Sequence, residues 1–245
     1  MTEAEANLRD AIEQNYSAFA CIPRPGKLCT SPYRDADKIW RTLTSAPLRE
    51  LGDKQIGPYC GWAITTAGDD RDYRHFLPRI FELSVTNPSW LGTEPPIIAE
   101  KLNLAHWRSW PSDQQASVLQ FFYSAFLAEL EKHPDEGIGV PDWICGLVTL
   151  GEPASRVMER WIASPAINAQ LQMASFIVDQ ARDLSLWAKV SGPFWDDVSV
   201  DVRRELAEQL RADQTKRYLH AAAGNVSDED RSALLEPALS EFEKF

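Results

Sequence analysis

The residues best suited to chemistry crowd one short stretch, Trp62 to Leu83, WAITTAGDDRDYRHFLPRIFEL, which holds Asp69, Asp70, Asp72 and His75. On a helix starting near Asp70, Asp72 and His75 stand at i and i+3 and share a face. A carboxylate and an imidazole so placed can hold a divalent metal or share a proton. A metal site needs three or four ligands, however, and no His-Glu-x-x-His run or second His pair supplies the rest. The spacing of a calcium loop fails as well, with no Gly at its sixth position and no Glu at its twelfth. The acids also have a plainer role, because free N–H groups and the helix dipole favour carboxylates in a first turn. Asp70, Asp72 and His75 stand as metal candidates for want of others, and no cofactor is expected.

Arg71, Arg74 and Arg79 lie in the same stretch and are candidates for contact with a partner. Arg74 can pair with Asp70 and Arg79 with Glu82, so the same residues fit a solvated, salt-bridged face. Cys21 and Cys29 flank a Pro-rich loop, but their spacing is not that of a zinc knuckle, and Cys60 and Cys145 lie far off. Small buried apolar residues are their simpler role. His106, Trp107, Arg108 and Trp110 form an aromatic and basic cluster that fits a helix–helix joint. His133 and His220 fall near helix C-termini, where a cation complements the dipole. There is no Gly-x-Ser-x-Gly elbow and no glycine-rich phosphate loop, so no catalytic residue is assigned.

The elements that must position these residues read as helices. Thr2 caps a first helix with Leu8, Ile12, Tyr16 and Phe19 on one face. Residues 21–33 carry three Pro and a Gly and form a loop. Asp35 or Asp37 starts a second helix, and Ser45 with Pro47 opens another that carries Leu48 and Leu51. Gly57-Pro58 interrupts the next, and Pro78 kinks or restarts the helix that holds His75. Asn87 to Pro96 is a loop with turns at Pro88-Ser89-Trp90 and Glu94-Pro95-Pro96, followed by helix over 97–107. Ser112 and Gln115 match a capping box. Residues 143–150, WICGLVTL, are buried helix or strand. Ser164-Pro165 opens a helix, Gly192-Pro193 breaks the chain, Gly224 ends a helix, Ser227 with Asp230 caps the last one, and Pro237 kinks it.

Period-two alternation is never sustained, so the fold class is all-α. Pro111, Pro153 and Pro193 recur about every forty residues, near the period of HEAT or armadillo helix pairs. An array of such hairpins and an irregular α bundle both fit. The chain reads as a single helical domain over 1–245, with a possible subdomain joint at 134–142.

The order PLREL at 47–51, then Thr-x-Gly-Asp, then aromatic-x-His-Phe-Leu-Pro-Arg, resembles a bacterial protein family with no assigned activity. The resemblance spans residues 20 to 85. It implies continuity of fold through this stretch and transfers no activity. In that family a loop with closely spaced cysteines precedes PLREL, whereas only Cys21 and Cys29 stand there in this chain.

Composition narrows the function. With 44% hydrophobic residues and nine Trp the chain can bury a large core. A formal charge of −11 and the lack of any Lys/Arg run disfavour nucleic acid and anionic lipid. The acid excess points at most to a basic protein partner. The first residues, MTEAEANLRDAIEQ, lack the basic start and apolar core of a signal peptide, which predicts a cytoplasmic protein. The expected function is therefore a non-enzymatic helical protein that binds another protein, as an adaptor or a neutralising, immunity-type factor. The alternative is a metal-dependent enzyme or metal-binding protein centred on Asp70, Asp72 and His75.

Overall fold

Side-chain caps set the first helices of this chain, whose structure, a computed structural model, describes residues 1–88, 92–222 and 224–244. Thr2 and Glu5 exchange side-chain bonds with each other's backbone N–H, at 3.2 and 2.8 Å, and open α1 (Glu3–Ala18). Asp35 accepts the Lys38 N–H at 2.9 Å and starts α2 (Ala36–Leu43). The expected helix after Pro47 is only a 3-10 turn, Leu48–Glu50, before α3 (Asp53–Trp62) begins at Gly52.

Two prolines expected to interrupt, kink or restart helices lie within continuous ones. Pro58 lies inside α3, and Pro78 lies inside α4 (Asp70–Thr86). Each removes one helical N–H donor, at a cost of about 3 kcal/mol in a helix interior. Burial outweighs this. Ile56, Tyr59 and Cys60 on α3, and Tyr73, Phe76, Leu77, Ile80 and Phe81 on α4, are all buried, and a large apolar side chain contributes about 1.5–3 kcal/mol on full burial.

The chain continues through α5 (Pro95–Leu104), α6 (Ser112–Glu129), α7 (Val140–Thr149), α8 (Ala154–Ile162) and α9 (Ile167–Trp187). It ends with α10 (Val200–Leu210), α11 (Asp213–Ala222), α12 (Asp228–Asp230) and α13 (Glu236–Glu241), with a π-helical turn at Arg231–Leu235 between the last two. The fold is all-α. Among the described residues the extended pairings are two isolated bridges, Thr30 with Ala67 and Ala63 with Ala67. No described helix is long and apolar enough to cross a membrane.

Several expected boundaries move. Pro95 and Pro96 form the first turn of α5 rather than a loop. The Pro88-Ser89-Trp90 turn falls outside the described residues at Ser89 and Trp90, and so does Ala223, just before Gly224. Gln115 does not close a capping box with Ser112; its amide donates to the carbonyls of Arg108 and Trp110 at 3.0 and 2.6 Å. The apolar run at 143–150 is helix, mostly within α7. The α9 helix starts at Ile167, after the Ser164-Pro165 pair. Ser227 caps α12 as expected, and Pro237 sits in the first turn of α13.

The chain divides into two compact units, Met1–Ala125 and Phe126–Phe245, with the division inside α6. In the first, α4 is the centre, with α1, α3 and the 3-10 turn packed on it. Phe81 of α4 stacks on Phe121 at 4.2 Å between ring centres. The loop at 21–33 is ordered: Leu28 is buried, Gly68 donates to the Cys29 carbonyl at 2.7 Å, and Ser31 donates to Thr66 at 3.0 Å.

In the second unit α9 is the centre. The π turn, α11 and α13 pack on it, while α7 and α10 pack on α8. Trp161 lies between Phe126 and Phe176, at ring distances of 6.2 and 6.3 Å. The segment 134–142 lies within this unit. It is anchored by Glu129, whose buried carboxylate accepts the N–H groups of Ile138 and Gly139, both at 3.0 Å.

Candidate functional site

Two of the acids singled out in the sequence, Asp69 and Asp72, cap the start of α4, while Asp70 is exposed in its first turn. Asp69 accepts the Asp72 N–H at 2.9 Å, and Asp72 accepts the Asp69 N–H at 3.1 Å. Burial raises the pKa of Asp72, the bond from the Asp69 N–H opposes this, and the charges of Asp69 and Asp70 raise it further. His75 is half-buried, and its Nδ1 lies 3.0 Å from the Ile22 carbonyl. A carbonyl only accepts, so Nδ1 carries the proton. Burial lowers the pKa of His75, a shift partly offset by that bond and reinforced by Arg24. Among the described residues no three His, Cys, Asp or Glu side chains come together as a metal site. Asp70, Asp72 and His75 thus gain no further ligand.

The three arginines go different ways. Arg71 is exposed. Arg74 does not pair with Asp70; it donates to Gln114 Oε1 at 2.6 Å and lies over the Trp110 ring. Arg79 pairs with Glu82 at 2.6 Å, as its spacing suggested, and donates through Nε to the Leu51 carbonyl at 2.7 Å. Glu82 also accepts the Tyr16 hydroxyl at 2.6 Å, and Arg49 stacks on Tyr16 while bound through both Nη atoms to Glu13. Arg74 and Arg79 thus both have partners within the first unit. Cys21 and Cys29 are exposed free thiols, while Cys60 and Cys145 are buried, with thiols pushed up to about 12 by burial. Trp107 and Trp110 are buried, as a joint requires.

Where α2 packs on α3, the first unit carries a pocket of about 420 Å³. The turn before α2 supplies Tyr33, Arg34 and Asp35. Lys38, Ile39 and Thr42 come from α2, and Lys54, Pro58, Tyr59 and Trp62 from α3. The sequence places these by helical spacing, with Lys38 and Thr42 one turn apart and Lys54, Pro58 and Trp62 successively one turn apart along α3. The Arg34 guanidinium lies 3.6 Å from the centre of the Trp62 ring. Such stacking leaves its in-plane N–H donors free of the ring. The one carboxylate in the lining, Asp35, is already bound to the Lys38 N–H as the cap of α2. Among the described residues neither Arg34, Lys38 nor Lys54 has an ion-pair partner. Ile39, Pro58 and Trp62 give the lining an apolar part beside the cations.

This arrangement concentrates positive charge in a chain of net charge −11. It can bind an anionic group and, beside it, an apolar one. Neither Lys38, Lys54 nor Arg34 was among the sequence candidates. The available signal was the pairing of two short helices, each carrying a lysine one turn from a pocket-facing neighbour.

A second groove, of about 570 Å³, is lined by Tyr16, Ile22, Arg49, Glu50, His75 and Pro78, among others. Its charges are largely satisfied within the fold, Arg49 by Glu13 and His75 by Ile22. Comparison with known proteins gave no matching family model, no matching curated protein and no matching solved structure.

Proposed function

We propose that this chain acts by binding another protein, without catalysis, and that the pocket between α2 and α3 receives an acidic segment of that partner. The observation that carries the reading is the set of cations Arg34, Lys38 and Lys54, without ion-pair partners beside an apolar part of the lining in a strongly acidic chain. The net charge alone favours a basic partner, but recognition follows the local field at the contact, and complementary charge there sets on-rate and register. An adaptor role fits this better than neutralisation of a basic factor.

The test is fluorescence anisotropy with labelled glutamate-rich and lysine-rich peptides of equal length. The wild-type chain should prefer the glutamate-rich peptide, more so at low salt, because exposed charges are screened over about 10 Å at 0.1 M ionic strength. The double variant Lys38→Glu, Lys54→Glu should lose that preference. A preference for the lysine-rich peptide, or no response to the double reversal, would refute the reading.

A further inference from the structure

We infer that the acidic segment seats an aromatic side chain in this pocket, against Tyr33 and the apolar part of the lining, with its carboxylates meeting Lys38 and Lys54. The inference rests on the proposed docking of an acidic partner and specifies the anchor. Two observations carry it. First, Tyr33 lines the pocket yet is 96% exposed. An aromatic side chain typically buries 150–250 Å² when it is covered, so an uncovered ring at a pocket's edge leaves a large apolar area to be claimed. Second, the pocket offers about 420 Å³, which falls in the range of sites that enclose a whole planar group and exceeds the needs of a lone carboxylate.

An acidic chain without an aromatic group would meet the cations and leave Tyr33, Ile39 and Pro58 bare. An aromatic group without acids would cover these and leave the lysines unmet. A segment with both satisfies both halves of the lining. Arg34 belongs to either half, because a guanidinium stacked on an indole still offers its edge to a carboxylate. Aromatic residues are the commonest anchors of protein interfaces, and they gain most in pockets ringed by groups that exclude water.

The experiment compares two capped, labelled glutamate-rich peptides, identical except for phenylalanine or alanine at the centre. They are titrated into the full chain and into the Tyr33→Ala variant, with circular dichroism to confirm that helicity is kept. The phenylalanine peptide should bind about tenfold more tightly, the scale of a modest aromatic anchor. Tyr33→Ala should remove most of that ratio and leave the salt-dependent binding of the alanine peptide. Equal binding of the two peptides, still lost in the Lys38→Glu, Lys54→Glu variant, would overturn the anchor and leave the acidic-partner reading standing. Failure of both peptides to bind would overturn both. Phenyl phosphate or inorganic phosphate competing at concentrations comparable to the phenylalanine peptide would mark the pocket as a small-anion site and also overturn the inference.

Discussion

Replacing Glu129 with Ala should destabilise the second unit more than any other single carboxylate removal in the segment it anchors. Its Oε1 accepts two backbone N–H groups, from Ile138 and Gly139, both at 3.0 Å, and Oε2 pairs with Lys132 at 2.8 Å. The Glu129 side chain is only 4% exposed, whereas Lys132 is 41% exposed, so the ion pair is screened and contributes about 0–1 kcal/mol. Bonds to a charged acceptor contribute about 1.5–3 kcal/mol each, which puts the loss of the two for Glu129→Ala at about 3–6 kcal/mol. Glu129→Gln separates the contributions. Its amide oxygen can take the place of Oε1 and keep both N–H bonds, now to a neutral acceptor, so the loss should be only about 2–3 kcal/mol. Urea denaturation followed by circular dichroism measures both, as a shift in midpoint at unchanged slope. An equal loss for the two variants would mean that Lys132, not the loop, depends on Glu129. A loss below about 0.5 kcal/mol for Glu129→Ala, the range of ordinary surface changes, would refute the anchoring argument.

Two further predictions follow from the titratable groups. His75 ionises below its ordinary value of 6.5 in the folded chain, chiefly through burial. Unfolding therefore takes up a proton in the window beneath that value, so the His75 contribution is intact above it and declines as pH falls. Wild type should lose more stability than His75→Gln between about pH 7.5 and pH 5, and an unchanged difference between the two would refute this. A thiol reagent should modify Cys21 and Cys29 at once and Cys60 and Cys145 only on unfolding, since burial holds the latter pair as thiols; four fast equivalents would contradict their environment.

The all-α class and several helix starts were legible in the sequence, because Thr2, Asp35, Asp69 and Ser227 each carry an oxygen that can reach an N–H one turn ahead. Pro58 did not interrupt its helix, nor did the helix restart at Pro78. Local rules charge a helix for an internal proline, but they do not register what Tyr59 or Phe81 gains from neighbours distant in sequence. The same limit hid the pocket. Arg34, Lys38 and Lys54 look like solvated charges in a linear reading, and only the pairing of α2 with α3 makes them one site. The cluster of Asp69, Asp72 and His75 drew attention because its residues adjoin in sequence, and adjacency there turned out to serve a helix cap and a loop carbonyl.

The pocket also has a kinetic character. Every residue that lines it lies between Tyr33 and Trp62. Bringing its lining together takes only short-range loop closure, which costs little chain entropy, while Tyr59 also rests on Phe76 of α4. The loops closed by the pocket are thus far shorter than that closed by the bond from Asn15 to the Ser117 carbonyl. All of its lining lies within the first unit, so the charge pattern around it is set without any residue of the second.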